Sequence, residues 1–90
     1  MAKVLNQVKI LPEDIEVDLK KLAEDIRQSL PKDMSLYKTR EEPIAFGLSA
    51  LKVFIITEDV EDAVERLENT LKGVKGVSEI QIEMSSLVNF

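Results

Sequence analysis

Glu41–Ile56 reads EEPIAFGLSALKVFII, and the organisation of the whole chain follows from it. Pro43 removes a backbone donor and holds Glu42 extended. Phe46 and Gly47 set an aromatic ring beside the residue type that tolerates any backbone angle. Leu48 to Ile56 is then apolar on both faces and long enough to be the central strand of a sheet. A rigid bend, a presented aromatic and a buried strand in direct succession describe a surface feature on a firm base.

Working outward, Lys3 to Leu11 alternates as a half-buried strand with Val4, Val8 and Ile10 on its apolar side. Asn6 falls on that apolar side and Leu5 on the polar one, two departures from the pattern. Pro12-Glu13-Asp14 ends the strand. Asp18 caps a helix whose stripe is Leu19, Leu22, Ala23, Ile26 and Leu30, and Pro31 stops it. Met34 to Arg40 is a second strand, charged at its far end as edge strands are. After the central strand, Asp59 caps a second helix with the stripe Val60, Ala63, Val64, Leu67 and Leu71. Gly73 closes it in a left-handed cap. Val77 to Met84 is the last strand, with Ile80, Ile82 and Met84 toward the core, and Ser85 to Phe90 shows no periodicity.

The order strand, helix, strand, strand, helix, strand predicts an α+β, ferredoxin-like βαββαβ sandwich. Its four-stranded antiparallel sheet has the order 4-1-3-2, with both helices on one face and the other face left free. Ninety residues make a single domain, 1–90.

Composition narrows the function. With 44% hydrophobic and 32% charged residues, the chain belongs with globular rather than disordered proteins. The net charge of −5 argues against nucleic-acid binding, which draws on a basic patch, and suits a partner with a basic face. There is no cysteine and no histidine, which removes disulfides, thiolate chemistry, most zinc sites and the commonest general base. A metal would need carboxylates, and those between Glu58 and Glu68 have the spacing of a solvated helix face. Leu11 to Val17 offers no glycine or arginine to cradle a phosphate. No apolar run approaches the roughly 20 residues of a membrane span, and the N-terminus lacks a signal-peptide core. The expectation is a cytoplasmic protein with no membrane contact, no cofactor, no metal and no catalytic residue.

Glu42 to Val53, EPIAFGLSALKV, resembles the signature of the elongation factor 1-beta family, a proline-hydrophobic-small-aromatic-glycine block leading into the same strand. Glu58-Asp59 matches the acidic pair that follows the strand in that family, and Val77-Ser78 matches the opening of its last strand. The short form of the chain resembles the archaeal branch. The resemblance implies a guanine nucleotide exchange factor for the elongation factor 1-alpha GTPase, acting by binding and not by covalent chemistry. It implies a partner surface of Glu42, Pro43, Ile44, Ala45, Phe46 and Gly47, with Phe46 as the wedge. Taken alone, an aromatic residue is more often core than contact; the family match turns that expectation around. The family's eukaryotic members carry a lysine near the C-terminus, but here that position falls near Leu87 and no lysine follows Lys75. The apolar tail residues Leu87, Val88 and Phe90 are therefore expected to lie near the Phe46 loop and share its contact. The free chain is expected to be a monomer. The alternative function is a small-ligand-binding regulatory module of the ACT type, which would dimerise edge to edge.

Overall fold

Alternating apolar positions commit one face of each strand to burial, and a sheet of such strands needs helices on that face only. A computed structural model describes residues 2–88 and contains this arrangement. The elements are β1 (Lys3–Pro12), α1 (Leu19–Ser29), β2 (Ser35–Ala45), β3 (Leu48–Glu58), α2 (Ala63–Lys72) and β4 (Val77–Val88). The sheet order is β2-β3-β1-β4 with every neighbouring pair antiparallel, which is the expected 4-1-3-2 read from the other edge.

Val8 and Ile10 of β1 lie opposite Val53 and Leu51 of β3, and these residues join Ile55 in one buried cluster. Leu22 and Ile26 of α1 and Leu67 and Leu71 of α2 complete it, so both helices cover the same face. Asn6 shares that face and is fully buried without breaking it. Its Nδ2 donates to the Ile55 carbonyl (3.1 Å) and to Thr57 Oγ1 (3.2 Å), and its Oδ1 accepts from Ser85 Oγ (2.8 Å). Leu5, on the open face, is half-buried opposite Ile56. Phe54 is also on the open face and only 8% exposed, with the Lys38 ammonium 4.8 Å from its ring centre.

Several local expectations give way. Asp59 does not cap α2: the helix starts at Ala63, with Asp62 at its N-cap position making no side-chain cap bond. The Asp59 N–H instead donates to the Ala2 carbonyl, prolonging the strand pairing. Val60 is thus outside the helix and half exposed, and Val64 is also exposed. Gly73 is right-handed (φ −81°), and the left-handed residue of this turn is Gly76 (φ 99°). Pro12 stays within β1. β2 runs on to Ala45 because Pro43 stands on an edge strand, where a missing donor is tolerated. β4 runs on to Val88, with Ser85, Ser86, Leu87 and Val88 paired to Asn6, Leu5, Val4 and Lys3.

Each edge strand carries two bulges. β2 has an extra residue at Tyr37 and another at Ile44; β4 has one at Ser78 and another at Glu83. An inserted residue swaps the faces of everything beyond it. Met84 therefore pairs with Gln7 on the open face and is 58% exposed, where unbroken alternation would have buried it.

Candidate functional site: the arm that carries Phe46

The β1–β3 ladder ends at the pair Ile10–Leu51. Beyond it the rungs Glu42–Ala50, Pro43–Ser49 and Ala45–Leu48 join only β2 and β3. These three rungs form an arm extending roughly 10 Å past the last shared pair, at the usual rise of a strand. Phe46 and Gly47 are its two-residue turn, closed by Ala45 and Leu48, with φ of 52° and 78°. Positive φ at both central residues is the type I′ geometry, whose twist matches that of the flanking strands. Gly47 meets the requirement without strain. A Cβ there would touch nothing within 4 Å, so glycine is needed for its backbone angle and not for space. Phe46 has no such freedom, and its ring is 99% exposed.

The residues beside the tip divide by face. Ile44 is the bulged residue and is 44% exposed. Pro43 and Ala45 are exposed on the edge strand. Glu42 does not point toward the tip. Its Oε2 lies 3.0 Å from Lys52 Nζ and its Oε1 lies 3.4 Å from Lys9 Nζ, across the open face of the sheet. Lys52 Nζ also lies 3.4 Å from Glu83, which accepts from Gln7 Nε2 at 3.2 Å. The Lys52 hydrogen bond, reinforced by Lys9, holds the Glu42 carboxyl below its usual range, and Glu42 raises Lys52.

On the helix side, a cleft of about 420 Å³ separates the arm from the β1–α1 loop, with Asp14, Ile15, Glu41 and Gly47 among its walls. Ile15 is 66% exposed there. Its one signal in the sequence is an isoleucine set between Glu13-Asp14 and Glu16.

The tail is elsewhere. Leu87 and Val88 pair with Val4 and Lys3, and Lys3 in turn pairs with Glu58 at the far end of β3. From Leu48 to Glu58 that strand spans roughly 33 Å, in a molecule whose longest extent is 42 Å. Leu87 and Val88 are thus at the opposite end from Phe46 and on the opposite edge, and the expected proximity is overturned. Phe90 lies outside the described residues. Leu87 is 67% exposed beside Val60 and Val64, around a groove of about 320 Å³ that also takes in Thr57 and Ala63. Among the described residues no three acidic side chains converge to hold a metal ion, and no helix is long and apolar enough to cross a membrane.

Comparison with known proteins bears on this arrangement. Residues 5–88 match the family model described as the EF-1 guanine nucleotide exchange domain. The elongation factor 1-beta of Staphylothermus marinus is 49% identical over 84 residues, covering 92% of this chain and 93% of that protein. That of Ignicoccus hospitalis is 44% identical over 84 residues, covering 92% and 89%. That of Thermoplasma acidophilum is 35% identical over 88 residues, covering 98% and 100%. Among solved structures, the C-terminal domain of the MgtC protein from Mycobacterium tuberculosis superposes with a TM-score of 0.53 over 98% of this chain and 88% of that one. At 16% identity that likeness concerns the fold alone.

Proposed function

The chain belongs to the EF-1 guanine nucleotide exchange domain family, its function is nucleotide exchange on elongation factor 1-alpha, and we propose that Phe46 is its principal contact with that GTPase. A binding protein can expel a nucleotide without chemistry. It needs only to hold the nucleotide-free GTPase more tightly than the loaded one, and linkage then lowers nucleotide affinity by the same factor. GDP leaves, and GTP reloads the factor for another round of protein synthesis.

The observation that carries the proposal is the state of Phe46. A bulky residue in the left-handed region costs about 1–2 kcal/mol, and a ring 99% exposed recovers nothing from burial. Strain of this kind at a surface position is a hallmark of a functional site. Pro43, Ile44, Ala45 and Gly47 form the surrounding contact, and Glu42 supports them from the open face. Leu87 and Val88, at the far end, are the candidates for a second, separate contact. The ligand-sensing alternative is not favoured, because the family match spans residues 5–88.

The test is release of labelled GDP from elongation factor 1-alpha. Phe46→Ala should slow stimulated release by at least about 30-fold, the 2 kcal/mol scale of an interface hot spot. Wild-type rates from a folded Phe46→Ala protein would overturn the assignment.

A further inference from the structure

We propose that Glu42, Lys9 and Lys52 form a latch that sets the angle of the β2–β3 arm, making Glu42 a positioning residue for nucleotide exchange. The inference rests on the reading of Phe46 as the contact residue and adds what holds it in place. The need arises from the ladder. Once β1 pairing ends at Ile10–Leu51, the arm is a two-stranded ribbon. Such ribbons are marginally stable alone and twist more than the inner strands of a sheet. A swing of about 20° over an arm of roughly 10 Å carries its tip through some 3–4 Å, using the usual strand rise and interstrand twist. A ring meant to enter a partner's surface could not tolerate that freedom.

Glu42 stands where such a swing would start. It is opposite Ala50, on the first rung beyond the β1 ladder. Its two oxygens go to different strands, Oε1 to Lys9 of β1 and Oε2 to Lys52 of β3. Lys52 continues to Glu83 of β4, so the chain of contacts takes one residue from every strand. The Lys52 side chain is only 16% exposed, which shields its pairs from salt better than a fully solvated ammonium. Isolated surface pairs add little to global stability. The latch therefore acts on the direction of the arm more than on the survival of the fold.

The experiment is a double-mutant cycle on stimulated GDP release, with Glu42→Gln, Phe46→Ala and the two combined. Glu42→Gln should lower kcat/KM by about tenfold, a coupling of ordinary size for neighbouring groups. Its melting temperature should stay within about 2 °C of wild type, as expected for a surface pair. In the Phe46→Ala background Glu42→Gln should lose most of its effect, because the ring is the principal contact that the arm carries. Lys9→Met should reproduce the loss. A fluorine label on Phe46, followed by NMR in the free protein, should broaden or shift in both variants. An equal effect of Glu42→Gln with and without Phe46 would overturn the proposal, since Glu42 would then be acting by some other route. Wild-type exchange by Glu42→Gln, with Phe46→Ala impaired, would remove the latch alone. Wild-type exchange by Phe46→Ala would remove the reading beneath it as well.

Discussion

At the scale of single residues, two side chains stand where local preference would not put them. Phe46 occupies the first position of a type I′ turn, which asparagine or glycine fills most readily. Phe46→Asn should therefore stabilise the chain by up to about 1–2 kcal/mol in chemical denaturation while abolishing exchange. A mutation that strengthens the fold and destroys activity is the signature of strain kept for function. Asn6 is the second. Asn6→Ala should destabilise by about 1–3 kcal/mol, because Thr57 and Ser85 lose their buried partner. Equilibrium unfolding measures this directly. The sequence marked both positions without explaining either. Asn6 was legible as a polar residue on an apolar face, but its partners are 49, 51 and 79 positions away. Phe46 was legible as a presented aromatic, whereas its own positive φ follows from the turn that pairing of Ala45 with Leu48 imposes.

At the scale of elements, periodicity located every strand and helix but not where each ends. β2 and β4 outrun their expected limits because edge ladders continue wherever a neighbouring strand offers partners, whatever the local pattern. The start of α2 moved because Asp59 is drawn into strand pairing before it can cap anything. Met84 was misplaced by a bulge, and bulges leave no mark in hydrophobic alternation. The ion pairs that join the elements make a pH prediction. Lys52 and then Lys9 hold Glu42 below the ordinary glutamate range, and Arg66 lowers Asp33 in the same way. The folded chain therefore binds fewer protons than the unfolded chain in this region, and stability rises with pH there. Their contribution is present at neutral pH and lost as pH falls through the depressed folded values. The small difference in melting temperature between wild type and Glu42→Gln, at most about 2 °C at neutral pH, should accordingly vanish below the glutamate range.

At the scale of the molecule, the two apolar ends lie on a long axis of 42 Å, and strand direction alone could have revealed this. In an antiparallel sheet of order 4-1-3-2, the β2–β3 turn lies where β1 finishes, and β4 finishes where β1 begins. The apolar, aperiodic tail and the family's lysine position pointed toward Phe46, but the direction of β4 carries Leu87 and Val88 to the other end. Contacts proposed so far apart would share no partners. The losses from Phe46→Ala and from deletion of Leu87 to Phe90 should add in free energy within about 0.3–0.5 kcal/mol, measured as affinity for the nucleotide-free GTPase. A marked shortfall would mean that both ends report a single event, and no loss from the deletion alone would mean that the tail end is silent. The bulges of β2 and β4 have a consequence of another kind. Both open edges of the sheet are interrupted twice, and β2 also carries a proline. A foreign strand laid along either edge would find its hydrogen bonds out of step after a few residues. Edge-to-edge stacking of copies is thereby obstructed at both sides.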